Sequence, residues 1–289
     1  MRPDLQVKLA DGTDVGYAEV GDPDGYPVLH LHGTPGSRLE VSFPALRHAA
    51  EDLGIRVIAP ERPGMGLSTF RRLTILDYPQ LVGSFADALG LERFVVTGVS
   101  GGGKYACACA WGLPERVTRV ALVSSTCSSD SPGAKATWNR EDRLVYPLAD
   151  RAPWMVRLMF AKFTRDVRRD PTSLFSMFEK LGPADKEVLA REDFRQALSR
   201  DLTEVFRQGG RGMAHDYTLE ARPWGVPLDK IQVPVEIWCG DDDRIVSPQA
   251  SRILADALPR ANTHFVPGEG HFLLAGNHAK DILQSALNG

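Results

Sequence analysis

Apolar and polar positions alternate from Leu5 to Leu9 and again from Val15 to Val20, with Asp11-Gly12 between the two runs. Period two marks half-buried strands and Asp-Gly favours a tight turn, so the chain opens on a predicted β-hairpin. After a Gly/Pro/Asp cluster at 21–27 comes a short apolar run, Val28-Leu29-His30-Leu31, that reads as a buried strand. A helical pattern near 39–53 follows and stops at Gly54. The alternation then repeats. Ile55 to Ala59 is strand-like, 75–90 is a helix closed by Gly90, Phe94 to Thr97 is a strand, 102–112 a helix, and Val120 to Val123 a strand. Strands separated by helices predict an α/β fold with a mostly parallel sheet flanked by helices.

The pattern changes after 128, where no strand is predicted for about a hundred residues. Helical steps of three and four take over, as in Phe194, Leu198, Leu202 and Val205/Phe206, and in Leu174, Phe175, Phe178 and Leu181. Prolines at 153, 171 and 183 stand near expected helix starts, where a missing N–H costs little. The strand–helix order returns with Val233 to Cys239, a helix at 248–257, a strand from Thr263 to Val266 and a last helix from about 274. The expected organisation is a core of residues 1–127 and 226–289, interrupted by a helical insertion at 128–225.

Composition narrows the classes of function. The 289 residues are 43% hydrophobic and 25% charged, with a formal net charge of -3. That balance suits a globular chain and gives no basis for nucleic acid or an anionic membrane surface as partner. The N-terminal MRPDLQVKLADG lacks the apolar stretch of a signal peptide, and no run approaches a membrane span. The four cysteines, Cys107, Cys109, Cys127 and Cys239, lack metal-ligand spacing. They read as buried thiols of a cytoplasmic protein.

The candidate chemistry centres on Gly98-Val99-Ser100-Gly101-Gly102, a G-x-S-x-G pattern between an apolar strand and a small-residue helix. A serine on such a tight turn faces the N-terminal N–H groups of the following helix, where negative charge can be stabilised. The same stretch runs Gly98-Val99-Ser100-Gly101-Gly102-Gly103-Lys104-Tyr105, one residue away from a phosphate-binding loop. That loop needs a hydroxyl after the lysine to hold Mg²⁺, and Tyr105 is too long for the place. A dinucleotide fingerprint fails as well, because the strand that follows ends in Ser124-Ser125 without the expected acid.

A serine nucleophile needs a base, an acid to orient the base, and donors for the oxyanion. Two later strand ends carry loops with these groups: Gly240-Asp241-Asp242-Asp243-Arg244, and Gly268-Glu269-Gly270-His271-Phe272. Asp242 and Asp243 both remain candidates for the acid on position alone, and Asp130 is a more remote one. With His32-Gly33-x-Pro35, Arg62-Pro63-Gly64-Met65-Gly66-Leu67-Ser68, the elbow at Ser100, Gly240-x-x-Asp243 and Gly270-His271 in this order, the chain resembles capped members of the α/β-hydrolase superfamily over nearly its whole length. The resemblance implies the α/β-hydrolase fold, with the insertion as a cap over the site. It implies Ser100 as nucleophile, His271 as general base and Asp243 as orienting acid, with the backbone N–H groups of Thr34 and Gly101 as the oxyanion hole. The chain departs from the family at Glu61, where the loop often carries Asp, and at Lys104, a charge inside the elbow helix with no assigned role.

The other histidines carry blander expectations: His30 structural, His32 a brace for the oxyanion loop, and His48, His215, His264 and His278 surface or packing residues. About a third of Trp138, Tyr146, Trp154, Met155, Met159, Phe160, Phe163, Phe175, Phe178, Met213 and Trp224 are expected to line a pocket, and the rest to pack the cap. Arg165, Arg168, Arg169, Arg207 and Arg211 read as a solvated face. The expected activity is hydrolysis of a carboxylic ester, thioester or lactone through an acyl-enzyme, using a small-molecule acyl substrate and water, with no cofactor and no metal. The alternatives are an aminopeptidase, a C–C bond hydrolase, or a non-hydrolytic ligand-binding scaffold on the same fold.

Overall fold

The computed structural model describes every residue except 171, 172, 174, 176, 177, 179 and 289. The predicted hairpin is present as β1 (Arg2–Lys8) and β2 (Asp14–Gly21). The remaining strands are β3 (Tyr26–Leu31), β4 (Ile55–Pro60), β5 (Phe94–Val99), β6 (Val117–Val123), β7 (Val235–Gly240) and β8 (Ala261–Val266). They form one 8-stranded sheet in the order β1-β2-β4-β3-β5-β6-β7-β8. Pairing is antiparallel from β1 to β2 and from β2 to β4, and parallel from β4 through β3 to β8.

Consecutive residues of the central strands enter opposite cores, as the two-residue period requires. Val28, Val57, Val95 and Ala121 face one side, with Leu46 and Ala49 of α1 (Pro44–Asp52) and Ile282 and Leu283 of α10 (Ala279–Leu287). Leu29, Ile58, Val96 and Leu122 face the other, with Phe85 of α2 (Tyr78–Ala88), Ala106 of α3 (Gly103–Gly112) and Leu254 of α9 (Pro248–Ala257). Burial on both faces explains why these strands read as continuous apolar runs.

Between β6 and β7 the described residues hold no strand. They form α4 (Arg140–Arg151), α5 (Pro153–Arg169), α6 (Pro183–Ala190), α7 (Glu192–Val205) and α8 (Arg211–Glu220), with short 3₁₀ turns. Pro153 and Pro183 open helices as expected, while Pro171 and Leu174 lie outside the described residues. The Phe194 series is the buried stripe of α7. The insertion meets the core at the carboxyl ends of the strands. Asp201 of α7 accepts from Ser37 N and Oγ, Asp216 of α8 accepts from Thr34 Oγ1, and Asp185 of α6 accepts from the His271 and Phe272 N–H groups. No helix among the described residues is long and apolar enough to cross a membrane.

Several helix limits differ from the sequence expectation. The 39–53 helix is split into a 3₁₀ turn at Arg38–Ser42 and α1, because Pro44 lacks an N–H and holds Phe43 extended at φ -58°, ψ 128°. The helix expected from 75 starts at Tyr78, since Thr74–Asp77 is tied into a turn by the Asp77 carboxylate accepting from Thr74 N and Oγ1. The last helix starts at Ala279 and not near 274. There the N–H groups of Ala275 and Gly276 turn back onto the Phe272 carbonyl, and Gly276 and Asn277 favour helix poorly.

Candidate active site

Ser100 sits where β5 passes into α3 through a 3₁₀ turn at Ser100–Gly102. Its φ is +52°, the left-handed region that a side chain with a Cβ rarely adopts. The turn lifts the residue off the sheet, and it stays 8% exposed at the wall of a cavity of about 560 Å³. Thr34, Gly101 and His271 line the same cavity, so the sequence-predicted site residues Ser100, His271, Thr34 and Gly101 converge on one space. Asp243 stands behind His271, 5% exposed.

The imidazole is held from several sides. His271 Nδ1 donates to Asp243 Oδ2 at 2.8 Å. The other Asp243 oxygen accepts from the N–H groups of Ile245 and Val246, each at 2.9 Å. Asp242 is turned away, paired with Arg244 at 3.0 Å, and Asp130 accepts from Ser128 Oγ. Of the neighbouring acids, Asp243 is therefore the one bonded to the His271 ring. Burial by itself would lower the His271 pKa, but the adjacent Asp243 carboxylate and its hydrogen bond outweigh it and hold the ring above the ordinary histidine value.

Two supports of this loop have no signature in the sequence. Asp185 accepts from His271 N at 2.9 Å and Phe272 N at 2.8 Å, bringing α6 against the loop. A Cβ on Gly270 would fall 2.2 Å from Asp185 Oδ2, so the glycine of Gly270-His271 is the space the carboxylate occupies. Ser124, at φ +47° after β6, donates from Oγ to the His271 carbonyl at 3.2 Å.

Across the cavity, residues 32–35 are clamped by Arg62. Its guanidinium donates to the carbonyls of His32 and Gly33, each at 2.5 Å, and to Thr34 Oγ1 at 2.9 Å. His32 is fully buried beside Arg62, which together push its pKa well below the ordinary value. A neutral ring suits its contacts, with Nδ1 3.0 Å from Gly33 O and Nε2 accepting from Arg62 N at 3.3 Å. The predicted brace at His32 is real and the larger one is Arg62. The Thr34 hydroxyl donates to Asp216 Oδ2 at 2.6 Å. A Cβ on Gly101 would lie 2.5 Å from Thr34 Oγ1, so a glycine at 101 is the condition for Thr34 to sit there.

His30 is structural, bonded to Thr97 and Glu40 inside the sheet. Glu61, the departure from the family pattern, accepts from Arg38 and from Leu67 N and so anchors the 61–68 loop. Lys104 is fully buried, and its Nζ is taken by Gly101 O, Glu220 and Asp216, which leaves it unable to serve a phosphate. Of the insertion aromatics singled out from the sequence, Tyr146 and Phe178 line the cavity. Phe160, Met213 and Trp224 are buried in packing, and Trp154 is 63% exposed, so fewer reach the pocket than expected. Tyr217, Phe43 and Phe272 line it without having been singled out by periodicity. The described residues hold no group of three or more His, Cys, Asp or Glu placed to bind a metal ion.

Comparison with known proteins agrees with this architecture. The chain is 28% identical over 260 residues to a non-heme chloroperoxidase of Streptomyces lividans, covering 87% of this chain and 88% of that protein. It is 27% identical over 245 residues to a bifunctional esterase/perhydrolase of Acinetobacter calcoaceticus, covering 83% and 82%. Its fold is similar to the crystal structure of the enol-lactonase from Burkholderia xenovorans, with a TM-score of 0.69 at 19% identity over 98% of both chains. The profile of the alpha/beta hydrolase fold matches residues 26–277, from the first parallel strand to the turn after His271, and the chain belongs to that family.

Proposed function

We propose that this protein is a serine hydrolase that cleaves a carboxylic ester, thioester or lactone through an acyl-enzyme on Ser100. The observation that carries the reading is the shared cavity: Ser100 on its left-handed turn and a His271 ring whose Nδ1 is committed to Asp243 line one space. With Nδ1–H held by the carboxylate, Nε2 is the basic nitrogen. It takes the Ser100 proton as Oγ attacks the acyl carbon, then passes it to the departing alcohol or thiol. The carbonyl oxygen becomes an oxyanion that receives the N–H groups of Gly101 and Thr34. Water, deprotonated by the same nitrogen, attacks the acyl-enzyme and restores Ser100. In this reading 128–225 acts as a cap on a core of 1–127 and 226–289, and its Tyr146, Tyr217 and Leu198 supply apolar contact to the substrate. The four cysteines are free buried thiols, which suits work in the reducing cytoplasm.

The test is labelling with a serine-directed fluorophosphonate, followed by turnover of short-chain nitrophenyl esters. Wild type should take one label and hydrolyse the esters, and Ser100→Ala should lose both, with turnover down by on the order of 10⁴ or more. Equal turnover in wild type and Ser100→Ala would end the hydrolase reading.

A further inference from the structure

The face of α8 that meets the core is ionic. Asp216 and Glu220, both buried, project from it onto Lys104 and Tyr105 of the elbow helix and onto Arg62 of the loop after β4. Asp216 stands at the centre. One oxygen accepts from Thr34 Oγ1 at 2.6 Å and lies 3.1 Å from Arg62 Nη2. The other accepts from Tyr105 OH and lies 3.5 Å from Lys104 Nζ. Burial alone would raise the Asp216 pKa, but Arg62 and Lys104 outweigh it and hold the carboxyl well below the usual range, so it stays ionised.

We propose that Asp216 is a positioning residue for the oxyanion hole: by gripping the Thr34 side chain from the insertion, it fixes where the Thr34 peptide stands against Gly101. This rests on the acyl-enzyme reading above. Thr34 Oγ1 is shared between Asp216 and Arg62, so the side chain has one place to be. That place is in contact with the elbow, since a Cβ on Gly101 would be 2.5 Å from Thr34 Oγ1 and 2.8 Å from Thr34 Cβ. Lys104 holds the other half of the hole, donating from Nζ to Gly101 O at 2.8 Å while bonded to Glu220 of the same α8. Both oxyanion donors are therefore referenced to one helix of the insertion, and seating α8 completes the hole. An oxyanion donor acts through its position relative to the developing charge, so a loose Thr34 costs transition-state binding and not substrate binding.

The experiment uses the full chain with Thr34→Val, Thr34→Ser, Asp216→Asn and the double variant Asp216→Asn/Thr34→Val. Thr34→Val keeps the shape and leaves Asp216 its contacts with Arg62, Lys104 and Tyr105, so it folds even if Asp216→Asn does not. A short-chain nitrophenyl ester gives kcat and KM, and a phenylboronic acid that adds to Ser100 reports affinity for a tetrahedral adduct. Thr34→Val should lower kcat by about 10- to 100-fold with KM within about twofold, and weaken the boronic acid by a similar factor. Thr34→Ser, which restores the hydroxyl, should recover most of kcat. In the double variant the losses in kcat should be less than multiplicative, because the Thr34–Asp216 hydrogen bond is common to both single variants. A folded Thr34→Val with wild-type kcat, or a loss confined to KM with boronic acid affinity unchanged, would overturn the proposal. Wild-type turnover that persists in Ser100→Ala would instead overturn the hydrolase reading, and this proposal with it.

Discussion

Ser100 and Ser124 both adopt positive φ at the ends of neighbouring strands, a conformation that costs a non-glycine residue about 1–3 kcal/mol and is sustained by the packing around it. Their placement serves one histidine, since Ser100 shares its cavity and Ser124 bonds its carbonyl. In the proposed mechanism the pH dependence of activity follows from His271, whose base form is needed. The Asp243 carboxylate raises its pKa against the effect of burial, so kcat/KM should rise with pH through a value above about 6.5. Asp243→Asn removes the largest opposition to burial and leaves only the smaller pull of the Asp185 and Glu40 carboxylates. The inflection should then move to lower pH, and kcat should fall by on the order of 10³–10⁴, measured as a pH profile of ester turnover. The sign for stability is opposite. A raised histidine pKa means that the charged pair stabilises fully below the unfolded value, and that this contribution is lost as pH rises through the folded one. Asp243 and His271 were legible because each follows a strand end with a glycine at fixed spacing. Asp185 was not, because nothing near residue 185 marks it as a partner of residue 271.

The elements differ in how much their own sequence decides. β5, the elbow and α3 follow one another without a gap, so a local pattern was sufficient to place them. The 39–53 segment shows the opposite case, because its apolar spacing continues through Pro44 while the backbone cannot. α6 is short, and its Asp185 is the residue that ties it to the His271 loop, through two backbone N–H groups. Asp185→Ala should leave the buried N–H groups of His271 and Phe272 without partners. At about 1–3 kcal/mol for each of the two orphaned groups, the loss should be about 2–6 kcal/mol, read by urea denaturation. Activity should fall with it even well below the unfolding midpoint, because the freed backbone carries His271, the proposed base.

At the scale of the whole molecule, fully buried Arg38 joins segments far apart in the chain. Its guanidinium donates to Pro3 O and Asp4 at the N-terminus, to Glu61 after β4, and to Glu204 of α7. Removing one partner of a buried ionic set leaves the others uncompensated, so Arg38→Met should destabilise by about 3–5 kcal/mol in denaturant titration. The deficit should depend on pH. Burial already raises the Glu61 pKa, and Arg38 opposes it most, with the Leu67 N–H second. Without the arginine the folded value rises further above the unfolded one. A carboxyl so raised favours the folded state below the unfolded pKa of about 4.3, and that advantage disappears as pH climbs toward the folded value. The variant should therefore be closest to wild type near pH 4 and fall furthest behind at neutral pH.

The sequence by itself determined the order of strands and helices, the extra helices between β6 and β7, and the residues proposed for nucleophile, base and acid. The elements are written in consecutive or regularly spaced residues, where backbone geometry relates neighbours, and the three residues came from ordered motifs that resemble a known family. Only the tertiary structure decided which groups meet across long separations. Thr34 and Asp216 are 182 positions apart, Lys104 and Glu220 are 116 apart, and Asp185 and His271 are 86 apart. Such partners are chosen by how helices dock on the strand ends, and docking follows shape and the pairing of buried charge, which no periodicity records. That is why Lys104 had no role along the chain and has one in the fold, bonded at once to the elbow and to the helix laid over it.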